Sequence, residues 1–119
     1  MNDLGRVTIE HRDHVVIAAV DGELDLSNWE HVGEAVEAAV NSDDTGLVVD
    51  LGPTSYFDST GVRLVFRLAE RLKARRQGFA LVIGGNQIVQ RVTELTGIKQ
   101  CVDCHHTVDQ AVTSLSSPR

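Results

Sequence analysis

Residues 46–83 read GLVVDLGPTSYFDSTGVRLVFRLAERLKARRQGFALVI, and their pattern decides the fold. The apolar run Gly46–Leu51 lies between turn-forming residues, which is typical of a strand that is covered on both faces. A helix follows, and its apolar residues recur at offsets of three and four: Val62, Val65, Phe66, Ala69 and Leu72. The helical pattern stops at Gln77-Gly78, and Phe79–Ile83 has the composition of another buried strand. Strand, helix and strand in this order predict a parallel pair with a right-handed crossover.

The residues before this stretch predict a hairpin at the start of the fold. Val7–His11 and Val15–Val20 are rich in β-branched residues and flank a short polar turn at Arg12-Asp13. A second turn is predicted at Asp21-Gly22, and Glu23–Leu26 reads as a short extended piece. An α/β fold that opens with two strands follows from this pattern.

Three more helices are predicted from caps and periodicity. Ser27, followed three residues later by Glu30, has the form of a capping box, so a first helix starts there and ends before Asn41. Its predicted inner stripe is Trp29, Val32, Ala35, Val36, Ala39 and Val40, and its outer side carries Glu30, Glu34 and Glu37. Asn86 caps a third helix whose apolar residues are Ile88, Val89, Val92 and Leu95. Thr107 caps a last helix that ends at Leu115.

Composition limits the chain to one domain and disfavours two kinds of partner. With 119 residues, 42% of them hydrophobic, residues 1–119 can close one core, expected at about residues 7–115, with 116–119 as a frayed tail. A formal charge of -6 repels nucleic acid and anionic lipid surfaces. The N-terminus carries no apolar signal segment, and no run of 18 apolar residues occurs, so a cytoplasmic location is predicted. Two cysteines are compatible with a reducing compartment.

Asp58-Ser59-Thr60-Gly61 lies between the buried strand and the strongest helix. The first turn of a helix leaves backbone N–H groups without intrahelical acceptors, and oxygen-bearing side chains are favoured there. Asp58, Ser59 or Thr60 can therefore serve as an N-cap, which contributes about 1 kcal/mol. This local chemistry alone does not predict a regulatory site.

Four segments in a fixed order carry a wider resemblance. They are Gly22-Glu23-Leu24-Asp25, Val48–Leu51, Tyr56–Val62 and Leu95-Thr96-Gly97-Ile98. With these segments the chain, from about Val7 to Leu115, resembles the STAS domain of bacterial anti-sigma factor antagonists of the SpoIIAA and RsbV type. The resemblance implies a mixed sheet of four to five strands with helices packed mainly on one face.

The resemblance also implies a regulatory binding protein without enzymatic activity. In the family, the serine after the motif's aspartate is phosphorylated by a partner that is both anti-sigma factor and ATPase-fold serine kinase, which makes Ser59 the expected acceptor. The unphosphorylated form binds this kinase and frees the sigma factor, the phosphorylated form lets go, and a phosphoserine phosphatase is the expected second partner. The alternative is a STAS scaffold or sensor module of another regulatory complex, such as a stressosome, with nucleotide binding as a minor variant.

The expected partner-binding residues are Asp25, Asp58, Ser59, Thr60, Gly61 and Arg63. Asp25 matches an acidic family position near the phosphorylation loop, and the alternative is a solvated turn carboxylate ahead of a Ser27 cap. Thr60 could be a second phosphoacceptor or only a cap. Arg63, Arg67 and Arg71 form a basic stripe that could meet an acidic partner or simply face solvent.

Three other motifs favour structural interpretations over functional ones. Cys101-Val102-Asp103-Cys104-His105 fits a haem-attachment pattern, and with His106 it offers zinc ligands, but chance proximity on a surface turn is the better interpretation. A thiol–disulfide switch between the two cysteines remains an open alternative.

Ser59 resembles a nucleophile elbow, but Phe57 replaces its first glycine and no oxyanion loop is present. Ile83-Gly84-Gly85-Asn86 predicts a tight turn, because both GxGxxG and the P-loop lysine are missing. Neither a cofactor nor a metal is predicted.

Overall fold

The computed structural model describes residues 6–116, which form a mixed sheet with helices on both faces. The strands in chain order are β1 (Arg6–Arg12), β2 (Val15–Leu24), β3 (Gly46–Asp50), β4 (Thr54–Phe57), β5 (Gly78–Val82) and β6 (Asp103–His105). The helices are α1 (Trp29–Ala39), α2 (Ser59–Ala74), α3 (Gln87–Thr96) and α4 (Val108–Ser116). The main sheet has the order β1-β2-β3-β5-β6, and β4 pairs with the end of β2.

The sheet is parallel except at its first strand. β1 and β2 form the predicted antiparallel hairpin, whereas β2–β3, β3–β5, β5–β6 and β2–β4 are parallel pairs. β3 lies in the centre of the sheet, as its apolar sequence predicts. A strand that is covered on both faces contacts no water, so its side chains on both faces are apolar. The parallel arrangement of β3 and β5 is confirmed.

Two apolar cores lie on the two faces of the sheet. The larger core packs residues of α1, α2 and α3 against one face, with Leu47 and Val49 as its contribution from β3. The smaller core packs α4, through Ala111, against Val48 on the other face. Three helices on one face and one on the other confirm the predicted α/β class and the uneven distribution of its helices.

The predicted turn at Asp21-Gly22 is wrong, because β2 continues through it to Leu24. Gly22 adopts a φ of 96°, and the pairing register shifts between Gly22 and Glu23, so the strand kinks and continues as the neighbour of β4. The segment before α2, which the sequence predicts to be a loop, contains β4, because the continued end of β2 gives it a strand to pair with. There the buried Thr54 donates its hydroxyl to the carbonyl of Val20 at 2.7 Å. The described residues therefore form six strands, one more than the upper number expected.

The predicted capping box at Ser27 and Glu30 is also wrong. α1 begins at Trp29 after Asn28, whose side chain makes no capping hydrogen bond to the helix. Ser27 instead donates both its N–H and its hydroxyl to Oδ1 of Asp25, at 3.0 and 2.6 Å. The residues before α1 thus form an Asx-type turn. The Ser27 hydroxyl, which a capping box would use, is bonded to the carboxylate of Asp25 instead.

The helix-cap predictions for α3 and α4 are confirmed. Asn86 accepts hydrogen bonds from the N–H groups of Ile88 and Val89 at 3.1 and 3.2 Å. The Thr107 hydroxyl accepts from the N–H of Gln110 at 3.1 Å. α4 runs to Ser116, and residues 117–119 of the predicted tail lie outside the described residues.

The predicted inner stripes of α1 and α3 are partly wrong. On α1, Ala35 is exposed and Gly33 is buried. Leu64 packs directly on Gly33, since a Cβ at that position would lie only 2.8 Å from the Cδ1 of the leucine. On α3, Ile88 and Leu95 are 49% and 80% exposed. The buried positions of α3 are Val89 and Thr93 instead. On both helices, the face that packs on the neighbouring elements therefore differs from the face that carries the most apolar residues.

Candidate functional site

The start of α2 is built around Asp58. This residue has extended backbone angles, and its Oδ1 accepts a hydrogen bond from the N–H of Thr60 at 2.9 Å. The first helical bond runs from the N–H of Val62 to the carbonyl of Asp58 at 3.1 Å. Of the three candidate caps, Asp58 therefore performs that role, and the cap does not use the hydroxyl of Ser59. Ser59 is exposed at the first position of the helix, and Thr60 is half-buried.

Gly61 is buried beneath the site. A Cβ on Gly61 would overlap the ring of Phe57, the last residue of β4. The glycine therefore lets the first turn of α2 lie directly on this ring, which is itself part of the larger core. Its backbone position at the start of the helix is fixed by this contact.

Tyr56 supports the capping carboxylate from β4. Its hydroxyl donates to Oδ2 of Asp58 at 2.8 Å, so both carboxylate oxygens of Asp58 accept hydrogen bonds. This hydrogen bond, followed by the negative charge of Asp58 and smaller effects from Asp25 and Glu23, raises the pKa of Tyr56. Side chains two positions apart in an extended segment lie on the same side, and this is the signal that pairs Tyr56 with Asp58 in the sequence. Our reasoning from the sequence missed it.

Asp25 reaches the same surface through the pairing of β2 and β4. The partners Glu23–Tyr56 and Leu24–Phe57 align the ends of the two strands, so the residues that follow them are neighbours. An open cavity of about 460 Å³ is lined by Glu23, Asp25, Leu26, Ser27, Tyr56 and Asp58. The structure thus brings Asp25 and Asp58 to one surface. Asp25 is also the turn carboxylate of the alternative interpretation, because it accepts two hydrogen bonds from Ser27, but the Ser27 cap of that interpretation is absent.

Asn28 holds the loop that carries Asp25, and sequence reasoning missed this role. Its Oδ1 accepts from the N–H of Asp25 at 3.0 Å, and its Nδ2 donates to the carbonyl of Glu23 at 2.8 Å. Leu26 in the same loop is 75% exposed, and Tyr56 is 45% exposed. The surface beside Ser59 therefore combines three carboxylates with two exposed apolar side chains.

Arg63 lies one turn after Ser59 in α2 and contacts Trp29 of α1. Its guanidinium carbon lies 6.0 Å from the centre of the Trp29 ring, and that of Arg67 lies 5.7 Å from it. Arg71, the third residue of the predicted basic stripe, forms an ion pair with Glu37 at 2.8 Å. The stripe therefore contacts α1 as well as solvent, and Trp29 contributes to the surface as well as to the core.

The cysteine and histidine motif lies away from Ser59. The predicted surface turn is wrong for Cys104, because residues 103–105 form β6 and pair with β5. Both cysteines are free thiols, and burial raises the pKa of Cys104. Within residues 6–116, no three His, Cys, Asp or Glu side chains are placed to hold a metal ion. In the same range, no helix has the length and apolar character that crossing a membrane requires.

The model of the STAS domain family matches residues 6–111. The chain belongs to the STAS domain family. The match covers every strand of the described sheet and all helices up to the middle of α4, and it confirms the resemblance that the sequence segments indicated.

Curated relatives of this STAS domain are named as anti-sigma factor antagonists. The anti-sigma-F factor antagonist RsfB of Mycobacterium tuberculosis is 25% identical over 113 residues, covering 95% of this chain and 91% of RsfB. The anti-sigma-B factor antagonist of Listeria monocytogenes is 33% identical over 91 residues, covering 76% of this chain and 78% of that protein. Among solved structures, an anti-sigma factor antagonist from Mycobacterium paratuberculosis superposes with a TM-score of 0.85 at 26% identity, covering 95% of both chains.

Proposed function

We propose that this STAS domain is an anti-sigma factor antagonist that is switched by phosphorylation of Ser59. In its unmodified form it binds an anti-sigma factor that is also an ATPase-fold serine kinase, and the sigma factor is released. In its phosphorylated form it leaves the kinase, and a phosphoserine phosphatase restores it. The observation that carries the proposal is the exposed Ser59 at the first position of α2, beside a cap that does not need its hydroxyl.

The position favours Ser59 as a site of phosphorylation that leaves the fold intact. Because Asp58 caps α2, modifying Ser59 removes no capping hydrogen bond. A phosphate at a helix N-terminus gains roughly 0.3–1 kcal/mol from the helix dipole and from N–H groups that lack intrahelical acceptors. We expect the phosphorylated chain to keep the structure described above.

The switch acts at the partner interface. Phosphate adds about −1.5 to −2 charges, and an uncompensated buried charge costs on the order of 3–5 kcal/mol. This cost exceeds the gain at the helix start and corresponds to a loss of affinity of a hundredfold or more. On this proposal Asp25, Asp58, Thr60 and Arg63 surround Ser59 as partner contacts, and Gly61 fixes the backbone beneath them. The protein contributes no catalysis and acts in the cytoplasm.

The partner kinase can be captured first and then titrated. Pull-down from native lysate with mass spectrometry should recover an ATPase-fold kinase, and phosphosite mapping of the same sample should place phosphate on Ser59. Calorimetry with that kinase should then give unchanged affinity for Ser59→Ala and a loss of about a hundredfold or more for Ser59→Asp.

Ser42→Asp is the matched control, because Ser42 is exposed in the loop after α1 and the change adds the same charge. We expect its affinity to equal that of the unmodified protein. Equal affinities of Ser59→Ala and Ser59→Asp would contradict the proposal. Phosphate on Thr60 in Ser59→Ala would identify Thr60 as a second acceptor.

A further inference from the structure

Trp29 lies beside two arginines of α2. It is the first residue of α1 and is only partly buried, and the guanidinium carbons of Arg63 and Arg67 lie 6.0 and 5.7 Å from its ring centre. Both arginines are exposed, so these contacts are cation–π interactions at the protein surface. The proposed function gives Trp29 no role.

Arg63 differs from Arg67 in its distance from Ser59. Ser59 and Arg63 are four residues apart in α2, so their side chains are neighbours on one face of the helix. Long side chains in a helix point back towards its N-terminus, which directs Arg63 towards the turn that carries Ser59. Arg67 is eight residues away, or about 12 Å along the helix axis, and lies beyond direct reach of that turn.

We propose that Arg63 is the internal ligand of the phosphate on Ser59 and that Trp29 holds its guanidinium until the phosphate is added. In the unmodified chain Arg63 stacks on Trp29. In the phosphorylated chain its guanidinium moves to the phosphate oxygens, while Arg67 stays on the tryptophan. The inference rests on the proposed function, because it takes Ser59 as the modified residue.

The charges around Ser59 favour this movement. Glu23, Asp25 and Asp58 place their carboxylates on one side of the site, and they repel a phosphate. Arg63 is the arginine closest to Ser59 along α2, and it is not among the residues that line this acidic cavity. A guanidinium can bind two phosphate oxygens at once, and such charge-assisted pairs are stronger than a cation–π contact that is exposed to water.

The movement would alter the partner surface in two ways at once. Phosphorylation adds a dianion at Ser59, and it also neutralises the cation that Arg63 presents one turn further along α2. A partner that places an acidic group against Arg63 would lose that contact together with its fit over Ser59. The internal pair also holds the phosphate in place on the helix surface.

The test needs neither the kinase nor the partner. Phosphoserine is incorporated co-translationally at position 59 of the full chain, and proton NMR follows the side-chain methylene groups of the two arginines. In the unmodified chain the Trp29 ring should shift both sets of signals upfield. With phosphoserine, the Arg63 signals should move to ordinary values and the Arg67 signals should stay shifted.

Fluorescence gives an independent measurement, because Trp29 is the only tryptophan. Phosphoserine should move its emission to longer wavelength and raise its acrylamide quenching constant, since one of its two covering cations leaves. Arg63→Gln should abolish this phosphate-dependent change, and Arg67→Gln, the matched control, should retain it.

Unchanged Arg63 methylene signals after phosphorylation would overturn the inference. So would a phosphate-dependent emission shift that persists in Arg63→Gln. Either result would leave the proposed function standing, because partner release by Ser59→Asp is measured separately and does not require Arg63 to move. Conversely, retained partner binding by Ser59→Asp would sink the proposed function and leave the NMR result intact.

Discussion

At the scale of single residues, Tyr56 ties β4 to the cap of α2. The phenol donates to one oxygen of Asp58, and the other oxygen caps the helix. An ionised phenol could no longer donate this bond and would face the carboxylate as a like charge. The hydrogen bond to Asp58 and the charge of its carboxylate therefore raise the pKa of Tyr56 in the folded chain above its value in the unfolded chain.

Because Tyr56 is the only tyrosine, its ionisation can be followed directly by absorbance at the phenolate band. We expect the folded protein to titrate above the ordinary tyrosine pKa of about 10. Asp58→Asn should lower the pKa of Tyr56 towards that ordinary value, because it replaces the oxygen that accepts the Tyr56 hydrogen bond with an NH2 group and removes the negative charge, while the remaining amide oxygen can still cap α2. Asp25→Asn should lower it by less, because the charge of Asp25 makes a smaller contribution.

The same shift gives stability a definite pH dependence. A raised pKa in the folded state stabilises the fold fully below the unfolded pKa of about 10, and this contribution is lost as the pH rises through the folded value. The pH dependence of unfolding by urea above pH 10 should therefore be steeper for the parent protein than for Asp58→Asn. Identical slopes and identical Tyr56 titrations in both proteins would contradict this account of the site.

At the scale of secondary-structure elements, Asn86 joins α3 to the segment between β3 and β4. Its Oδ1 caps α3, and its Nδ2 donates to the carbonyls of Leu51, Gly52 and Thr54 at 2.9, 3.1 and 2.7 Å. One amide thus satisfies groups on two segments that are over thirty residues apart in the chain. It holds β4, and with it Tyr56, in a fixed place relative to α3.

Asn86→Asp should be strongly destabilising although aspartate is as good an N-cap as asparagine. The variant keeps the capping oxygen but replaces the Nδ2 donor with a charged oxygen that faces three carbonyls. We expect the free energy of unfolding to fall by about 2–3 kcal/mol, measured by urea denaturation. Thr107→Asp, at the cap of α4, is the control and should change the stability little. Equal losses in both variants would show that the carbonyl contacts of Asn86 contribute nothing.

The sequence predicts β3 and α2 well and misses β4 and β6, for a physical reason. β3 and α2 carry enough apolar residues for their periodicity to be visible, because each buries a continuous surface. β4 and β6 have four and three residues, and they are held by partners far along the chain, such as Glu23 for Tyr56 and Leu81 for Cys104. The local sequence of a short strand does not indicate which distant strand it pairs with.

The same distinction applies to the candidate site. The exposure of Ser59 follows from its position after a capping residue, which the sequence displays. The proximity of Asp25 to Asp58 depends on the pairing of β2 with β4, and the sequence offered it only through the family resemblance. The contact of Trp29 with Arg63 depends on how α1 and α2 pack, so the sequence pattern predicts only a core residue at Trp29.

At the scale of the whole molecule, the smaller core lies apart from the surface that we propose to be regulatory. The Ser59 surface is built by β2, β4 and α2, whereas α4 covers the opposite face through the smaller core. Leu115 of α4 packs on two glycines of the sheet, since a Cβ on Gly46 or Gly78 would lie 3.0 or 2.7 Å from its methyl carbons. These glycines let the last turn of α4 lie close against β3 and β5.

Leu115→Ala should therefore weaken the fold without altering the switch that we propose at Ser59. We expect the free energy of unfolding to fall by about 1–2 kcal/mol, because the half-buried side chain loses apolar contact with the sheet. Leu95→Ala makes the same chemical change at a residue that is 80% exposed, and its effect should stay within about 0.5 kcal/mol. At a temperature where Leu115→Ala is fully folded, its affinity for the kinase should equal that of the parent protein. A reduced affinity there would mean that the α4 face is coupled to the Ser59 surface through the sheet, and that this STAS domain does not separate support from switching.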